Sequence, residues 1–246
     1  MSKNFELLLQ AGAVGHYFHD VDTDAPDNRS SSGHSRYHAP RNEEFAQLVR
    51  RIFLNSSRSR VHSLMISGAS CSGKPAEACA RIGQSLASLV DDTVCLVDTD
   101  IDHPSLHSLF GDNNLVGFAD ALFHAKSPKA LVRPVGRSNL HFLPAGTKVG
   151  NSRIMEADFS APLECLKREF DYLVVAAPSA DRGRSLNAIG SACDGALLAL
   201  DTGGVPLNVM LRIKRQFDAS DIPLFGVVLG GANTAGHHTS TISPSS

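Results

Sequence analysis

Between Gly68 and Lys74 the chain reads Gly-Ala-Ser-Cys-Ser-Gly-Lys, two glycines and a lysine at the spacing GxxxxGK. After a strand and before a helix, such a run can wrap phosphates in backbone N–H groups, with the lysine reaching the β and γ oxygens. The residues that would touch a nucleotide are Gly68, Ser70, Cys71, Ser72, Gly73, Lys74, Pro75 and Ala76. The loop departs from a working one at Pro75, where a Ser or Thr hydroxyl would hold magnesium. Proline removes that hydroxyl and also a backbone N–H, a loss of about 1.5–3 kcal/mol if the donor faced a phosphate. It also biases Lys74 away from helical dihedrals. Proline at the first helical position is compatible with the helix itself, so the fold can survive while the ligand chemistry suffers.

A second chemical signal follows. The apolar run Val94–Val97 ends at Asp98-Thr99-Asp100, with Asp102-His103 just beyond. Two carboxylates at a strand end can organise a metal, or they can cap the following segment or form surface ion pairs; the residues alone leave both open. Asp102 and His103 are adjacent, and neighbours in sequence rarely orient each other as a catalytic dyad. The pair His237-His238 reads as part of a solvated tail.

The elements that must position these residues alternate along the chain. Helical spacing marks Glu43–Asn55, Ala76–Leu89, Ser105–Phe110, Gly117–Phe123, Ala161–Glu169 and Pro206–Phe217. Short apolar runs at Val61–Ser67, Val94–Val97, Leu140–Leu143, Tyr172–Ala176, Gly195–Leu200 and Leu224–Leu229 predict strands. This order predicts an α/β protein with a mainly parallel sheet covered by helices on both faces. Ligands of such sheets bind beyond the carboxyl ends of the strands, where Gly68–Lys74 and Asp98 both fall. Residues 1–42 form a separate segment, with one short helix expected around Phe5–Leu9 and a polar linker after Asp20. The Gly/Thr/Ser-rich end, 231–246, reads as a disordered tail.

The 246 residues carry 23 basic and 25 acidic side chains, a net charge of −2 that argues against a general nucleic-acid binder. The longest apolar runs, Leu173–Ala177 and Ala196–Leu200, fall far short of the roughly 20 residues of a membrane span. No secretory signal is recognisable at the start of the chain. The cysteines at 71, 79, 95, 165 and 193 form no CxxC pair and read as buried free thiols of a reducing, cytoplasmic compartment.

Beyond the loop, Val94-Cys-Leu-Val-Asp98-Thr-Asp100-Ile-Asp102-His-Pro104-Ser-Leu-His107-Ser-Leu-Phe-Gly111 resembles the second acidic motif, DxDxR, of the bacterial tyrosine kinases (BY-kinases) of the capsular and exopolysaccharide CpsD/CapB type. Gly117-Phe-Ala-Asp120, Leu140-His-Phe-Leu-Pro144-Ala-Gly146, Phe170-Asp171-Tyr172, Asp194-Gly195 and Gly226–Leu229 follow in that family's order. Glu44, Gln47 and Arg50 resemble its ExxRxxR oligomerisation motif with the middle arginine replaced. The resemblance covers roughly residues 43–230 and implies a P-loop NTPase fold, a doubly wound three-layer α/β/α domain.

It also implies that Asp98 and Asp100 sit beside the γ-phosphate as catalytic residues and magnesium ligands, that ATP or ADP with Mg2+ is the cofactor, and that Glu44, Gln47 and Arg50 serve a homo-oligomer interface. The implied partner is a membrane-embedded adaptor controlling polysaccharide chain length, which would hold the protein peripherally at the cytoplasmic side of the inner membrane. The departures are specific. The third motif's carboxylate is replaced at Ala176, in Ala176-Ala177-Pro178; the DxDxR arginine is Asp102; the last strand's asparagine is Gly230; and the tail 231–246 has no tyrosine. Together with Pro75, they lead to the expectation of a degenerate nucleotide site in an interaction module. The alternatives are an active ATP-dependent tyrosine kinase and, less favoured, a MinD/ParA-type positioning ATPase. The latter's extra loop lysine would stand where this chain has Ala69.

Overall fold

The structure, a computed structural model, describes residues 43–55, 60–69, 75–136, 138–147, 157–180, 185–201 and 205–230. The segments expected at 1–42 and 231–246, and the loop residues Ser70, Cys71, Ser72, Gly73 and Lys74, lie outside the described residues.

The helices are α1 (Glu43–Val49, continued by a π-helical turn, Arg50–Leu54), α2 (Pro75–Leu89), α3 (Leu106–Leu109), α4 (Phe118–Phe123), α5 (Pro128–Leu131), α6 (Ser160–Lys167), α7 (Leu186–Ser191) and α8 (Leu207–Ala219). The strands are β1 (Ser63–Gly68), β2 (Val94–Asp98), β3 (Arg133–Pro134), β4 (Leu140–Leu143), β5 (Tyr172–Ala177), β6 (Gly195–Asp201) and β7 (Leu224–Gly230). They form one sheet in the order β3-β4-β2-β5-β1-β6-β7, parallel except where β3 runs against β4. Parallel neighbours require crossovers, which the intervening helices supply.

Every residue of β1 and β2 is buried, which is why these strands read as continuous apolar runs and not as alternations. Two core clusters lie on opposite faces of the sheet. One joins Phe45, Val49 and Phe53 to Ile82 and Leu86 of α2 and to Leu64, Leu96 and Val174 of the strands. The other joins Leu163, Leu186, Ile189, Ile213 and Phe217 of α6, α7 and α8 to Met65, Val97, Val175 and Leu198. The expected three-layer α/β/α arrangement is thus present. Helix α2 lies close against β2: a Cβ at Gly83 would come within 2.1 Å of Leu96 Cδ2. Among the described residues no helix is long and apolar enough to cross a membrane.

Several boundaries differ from the sequence expectations. The helix expected at Ser105–Phe110 shrinks to Leu106–Leu109, and β1 starts at Ser63 and not at Val61. The end of the first helix widens into a π turn, closed by Asn55 N–H on the Arg50 carbonyl at 2.7 Å, so that Ile52 and Phe53 are both buried. Helices α5 and α7 and the two-residue β3 were not expected; each is too short for a periodic signal. Of the cysteines, Cys79, Cys95 and Cys193 are buried and free, as expected, but Cys165 is only partly covered. Burial pushes the Cys193 thiol up to about 12, which keeps it inert.

Two of the motif segments turn out to hold each other. Phe118 and Ala119 donate their N–H groups to the carbonyls of Pro144 and Ala145, both at 2.8 Å. Asn114, at a positive φ of 53°, accepts from Gly146 N–H and donates to Gly146 O, again at 2.8 Å each. Asp120 accepts from Gly117 N–H and from Lys126 Nζ. Burial acts to raise its pKa, but the Lys126 and Gly117 hydrogen bonds and the charges of Lys126 and His124 outweigh that and hold the carboxyl below its usual range. No side chain fits at Gly117, where a Cβ would lie 2.0 Å from the Pro144 carbonyl oxygen. Gly117→Ala is therefore expected to lower stability by about 3 kcal/mol, the upper end for overpacking, because the obstacle is backbone. A urea midpoint equal to that of the unmodified chain would refute this lock.

Candidate functional site

The carboxyl ends of β2, β5, β1 and β6 lie side by side, and the sheet register fixes what meets there. Asp98 pairs with Ala176, Ala176 with Ile66, Ala177 with Ser67, and Gly68 with Ala199. Gly68, Pro75 and Ala76 thus stand where the sequence placed them, the glycine closing β1 and the proline opening α2. The edge is tied together by short polar contacts. Thr99 donates both its N–H and its hydroxyl to the Ala176 carbonyl at 2.9 Å. Ser67 Oγ donates to Pro178 O at 2.6 Å, Ala180 N–H to Gly68 O at 2.8 Å, and Ala69 N–H to Ala199 O at 3.1 Å.

Asp98 is at the centre of this edge and is 1% exposed. Its Oδ1 accepts the Asp100 N–H at 3.1 Å, while Oδ2 accepts those of Ser105 at 3.0 Å and Leu106 at 2.9 Å. Three of the roughly four acceptor positions of a carboxylate are therefore occupied by backbone. The capping role that the sequence left open is the one this geometry fulfils: Asp98 satisfies the first N–H groups of α3. Burial raises its pKa to about 7, although the three backbone donors and the nearby Asp100 charge act on it as well, the donors downward and the charge upward. Cys79, on α2, donates its thiol to Val174 O at 3.4 Å and has its pKa raised by burial and then by the Asp98 charge.

Asp100 is partly exposed and accepts the His103 N–H at 3.0 Å, with the His103 ring 3.9 Å away. His103 thus turns to Asp100 and not to its neighbour Asp102, whose buried Oδ1 has no hydrogen-bond partner among the described residues. Ala176 and Ala177 are both buried, and their methyl side chains offer no oxygen at either strand position.

The magnesium that the resemblance implies needs near-octahedral oxygen ligands. The described residues do not fit it: Pro75 and Ala176 have no side-chain oxygen, Asp98 is committed to backbone, and no group of three or more His, Cys, Asp or Glu among the described residues could hold a metal ion. The sequence, which left metal binding and capping both open for Asp98, could not reveal two of these donors, because Ser105 and Leu106 lie seven and eight residues on. Thr99 was not singled out either; its signal was its place between two aspartates, polar yet bound to be buried at the strand end. Glu44, Gln47 and Arg50 lie on the exposed side of the first helix, away from Phe45 and Val49, and Arg50 pairs with Glu43 at 3.2 Å.

No family model matches the chain. Among curated proteins it is 25% identical over 114 residues to the tyrosine-protein kinase CpsD of Streptococcus agalactiae, covering 46% of each chain. It is 31% identical over 116 residues to the septum site-determining protein MinD of Thermotoga maritima, covering 46% of this chain and 42% of MinD. Both matches span less than half of the relative's length. Among solved structures, the chimerical protein CapA2B2 superposes with a TM-score of 0.70 at 17% identity, over 79% of this chain and 86% of that one. The kinase domain of the Escherichia coli tyrosine kinase ETK gives 0.66 at 17% identity, over 82% and 80%. MinD of Pyrococcus horikoshii, solved with Mg-ADP, gives 0.56 at 16% identity, over 68% and 69%. The fold is shared with these proteins, and tyrosine kinases and MinD proteins occur among both the curated and the solved relatives.

Because folding raises the Asp98 pKa, the folded chain binds its proton more tightly than the unfolded one. The resulting stabilisation is complete below about pH 4, the ordinary carboxylate value, and is lost as pH rises through about 7. Asp98→Asn is expected to flatten that fall. Asp98→Ala, which strands three N–H groups, should cost about 2–4 kcal/mol. Chemical denaturation between pH 4 and 8 checks both; an alanine variant as stable as the parent would show the cap to be idle.

Proposed function

We propose that this chain, which resembles the BY-kinase domains among the P-loop MinD/ParA-type ATPases, is a regulatory interaction module of bacterial capsule or exopolysaccharide export with a weakened or inactive ATP site. The observation that carries the reading is the coincidence of Pro75, Ala176 and a backbone-bound Asp98 at one sheet edge whose surrounding scaffold is intact. Phosphoryl transfer depends on positioning and on neutralising charge, mainly through magnesium held against the phosphates. An edge that has lost the hydroxyl and one carboxylate, and uses another carboxylate to hold a loop, keeps the fold and forfeits most of that neutralisation.

The partner in this reading is a membrane-embedded adaptor that governs polysaccharide chain length, with the module docked on the cytoplasmic side and Glu44, Gln47 and Arg50 available for self-association. The domain is taken as 43–230, flanked by the segments 1–42 and 231–246. The tyrosine-kinase reading would require Asp98 to leave its donors, or Asp102 to replace the lost carboxylate. The MinD-type reading is supported by the T. maritima match, yet the position of its loop lysine holds Ala69, buried in the core.

The purified chain is expected to show no magnesium-dependent ATP hydrolysis and no tyrosine phosphorylation above that of its Lys74→Ala variant. Robust phosphorylation lost on Lys74→Ala and Asp98→Asn would establish the kinase reading in its place.

A further inference from the structure

We infer that residues Tyr17–Asp24 of this chain add a further strand to the open edge of β7, held there by the cationic flank of α8. The sheet has two edges, and only one is blunted. At β3 the edge strand is Arg133–Pro134, a charge followed by a missing donor. β7 is seven residues long, Leu-Phe-Gly-Val-Val-Leu-Gly, with no charge and no proline. Among the described residues no strand pairs with its outer side. Its register with β6 skips Phe225, which stays 42% exposed. The Phe225 ring lies over Gly195, where a Cβ would come within 2.3 Å of it, two residues before Leu197 and so on the face of the α1/α2 core. A long, uncharged edge of this kind is a template for another strand.

Helix α8 sets what flanks that edge on the other face. Met210, Ile213 and Phe217 are buried in the core, and Gln216 donates to Asn187 of α7 at 3.0 Å, so the Gln216 flank looks inward across the sheet. At roughly 100° per residue, Leu211, Lys214 and Arg215 fall on the opposite flank, toward the open edge. Leu211 is 36% exposed, and Arg215 is exposed with no partner among the described residues. Lys214 pairs with Asp218 at 2.6 Å, and Arg212, also exposed, adds a further positive charge.

An occupant matched to this edge is extended, acidic on one face and apolar on the other. The run Tyr17-Phe-His-Asp-Val-Asp-Thr-Asp24 has that pattern. Asp20, Asp22 and Asp24 alternate with Val21 and Thr23, so an extended backbone presents all three carboxylates to α8 and turns Tyr17, Val21 and Thr23 to the Phe225 side. Tyr, Phe, Val and Thr favour strands, and Gly15 and Pro26 bound the run. No lysine or arginine lies between Lys3 and Arg29 to oppose the match. From Asp24 to Glu43 the extended chain spans about 60 Å. A domain of this size is about 40 Å across, so the segment can reach β7 of its own molecule.

Hydrogen exchange of the full chain, followed by mass spectrometry on fragments covering 224–230, tests the contact. Asp20→Lys/Asp22→Lys/Asp24→Lys, which alters none of the domain's helices or strands, is expected to speed β7 exchange about threefold to tenfold and leave β1 and β2 unchanged. Lys214→Glu/Arg215→Glu should loosen β7 likewise, and the two sets combined should restore the parent's protection. Unchanged β7 exchange in the aspartate variant overturns the inference and leaves the edge to another protein. Failure of the combined charges to restore protection also overturns it. Protection that falls on dilution does so too, because a second copy would then cover the edge.

Discussion

The carboxylate of Asp98 stands at the end of a fully buried strand, where an ionised group costs free energy unless its lone pairs are met. In this chain they are met by the backbone of the segment that follows, through Asp100, Ser105 and Leu106. That one commitment fixes the path of the chain from β2 into α3 and places Thr99 to bind the Ala176 carbonyl. The same carboxylate sits under α2, where its charge reaches Cys79. Strand, loop and helix are thereby joined at the carboxyl edge of the sheet.

A scaffold and its chemistry separate cleanly at such a point. The parallel order of the strands, the close approach of α2 at Gly83 and the lock between Gly117 and Pro144 depend on packing and backbone hydrogen bonds. None of them depends on a metal, a nucleotide or the residues at 75 and 176. Residues 75 and 176 can therefore vary without touching what holds the domain together, consistent with function residing in sites carried by a fold. Alanine at 176 and 177 even suits the fold, since small apolar side chains fill buried strand ends without unmet polar groups.

The motif segments of the second half illustrate how sequence patterns can mark structure as readily as catalysis. Gly117–Asp120 and Pro144–Gly146 look like family signatures, and in space they are two sides of one hydrogen-bonded joint. Asn114 at positive φ and Gly117 with no room for a Cβ explain the residue types there. Neither needs a ligand to account for it.

The alternation of apolar runs and helical spacings was sufficient to predict six of the seven strands and the long helices, because parallel strands buried on both faces must be apolar throughout and α2 must bury one small-residue face. It was also sufficient to place Gly68 and Asp98 at one edge. Helices α5 and α7, strand β3 and the π turn at Arg50–Leu54 were decided by packing, since one or two turns contain too few residues to show a period. Tertiary structure alone decided the state of Asp98. A carboxylate in a sequence is equally able to bind a metal or to cap a loop, and only the arrival of the Ser105 and Leu106 N–H groups, brought back by the turn after β2, commits it to the loop.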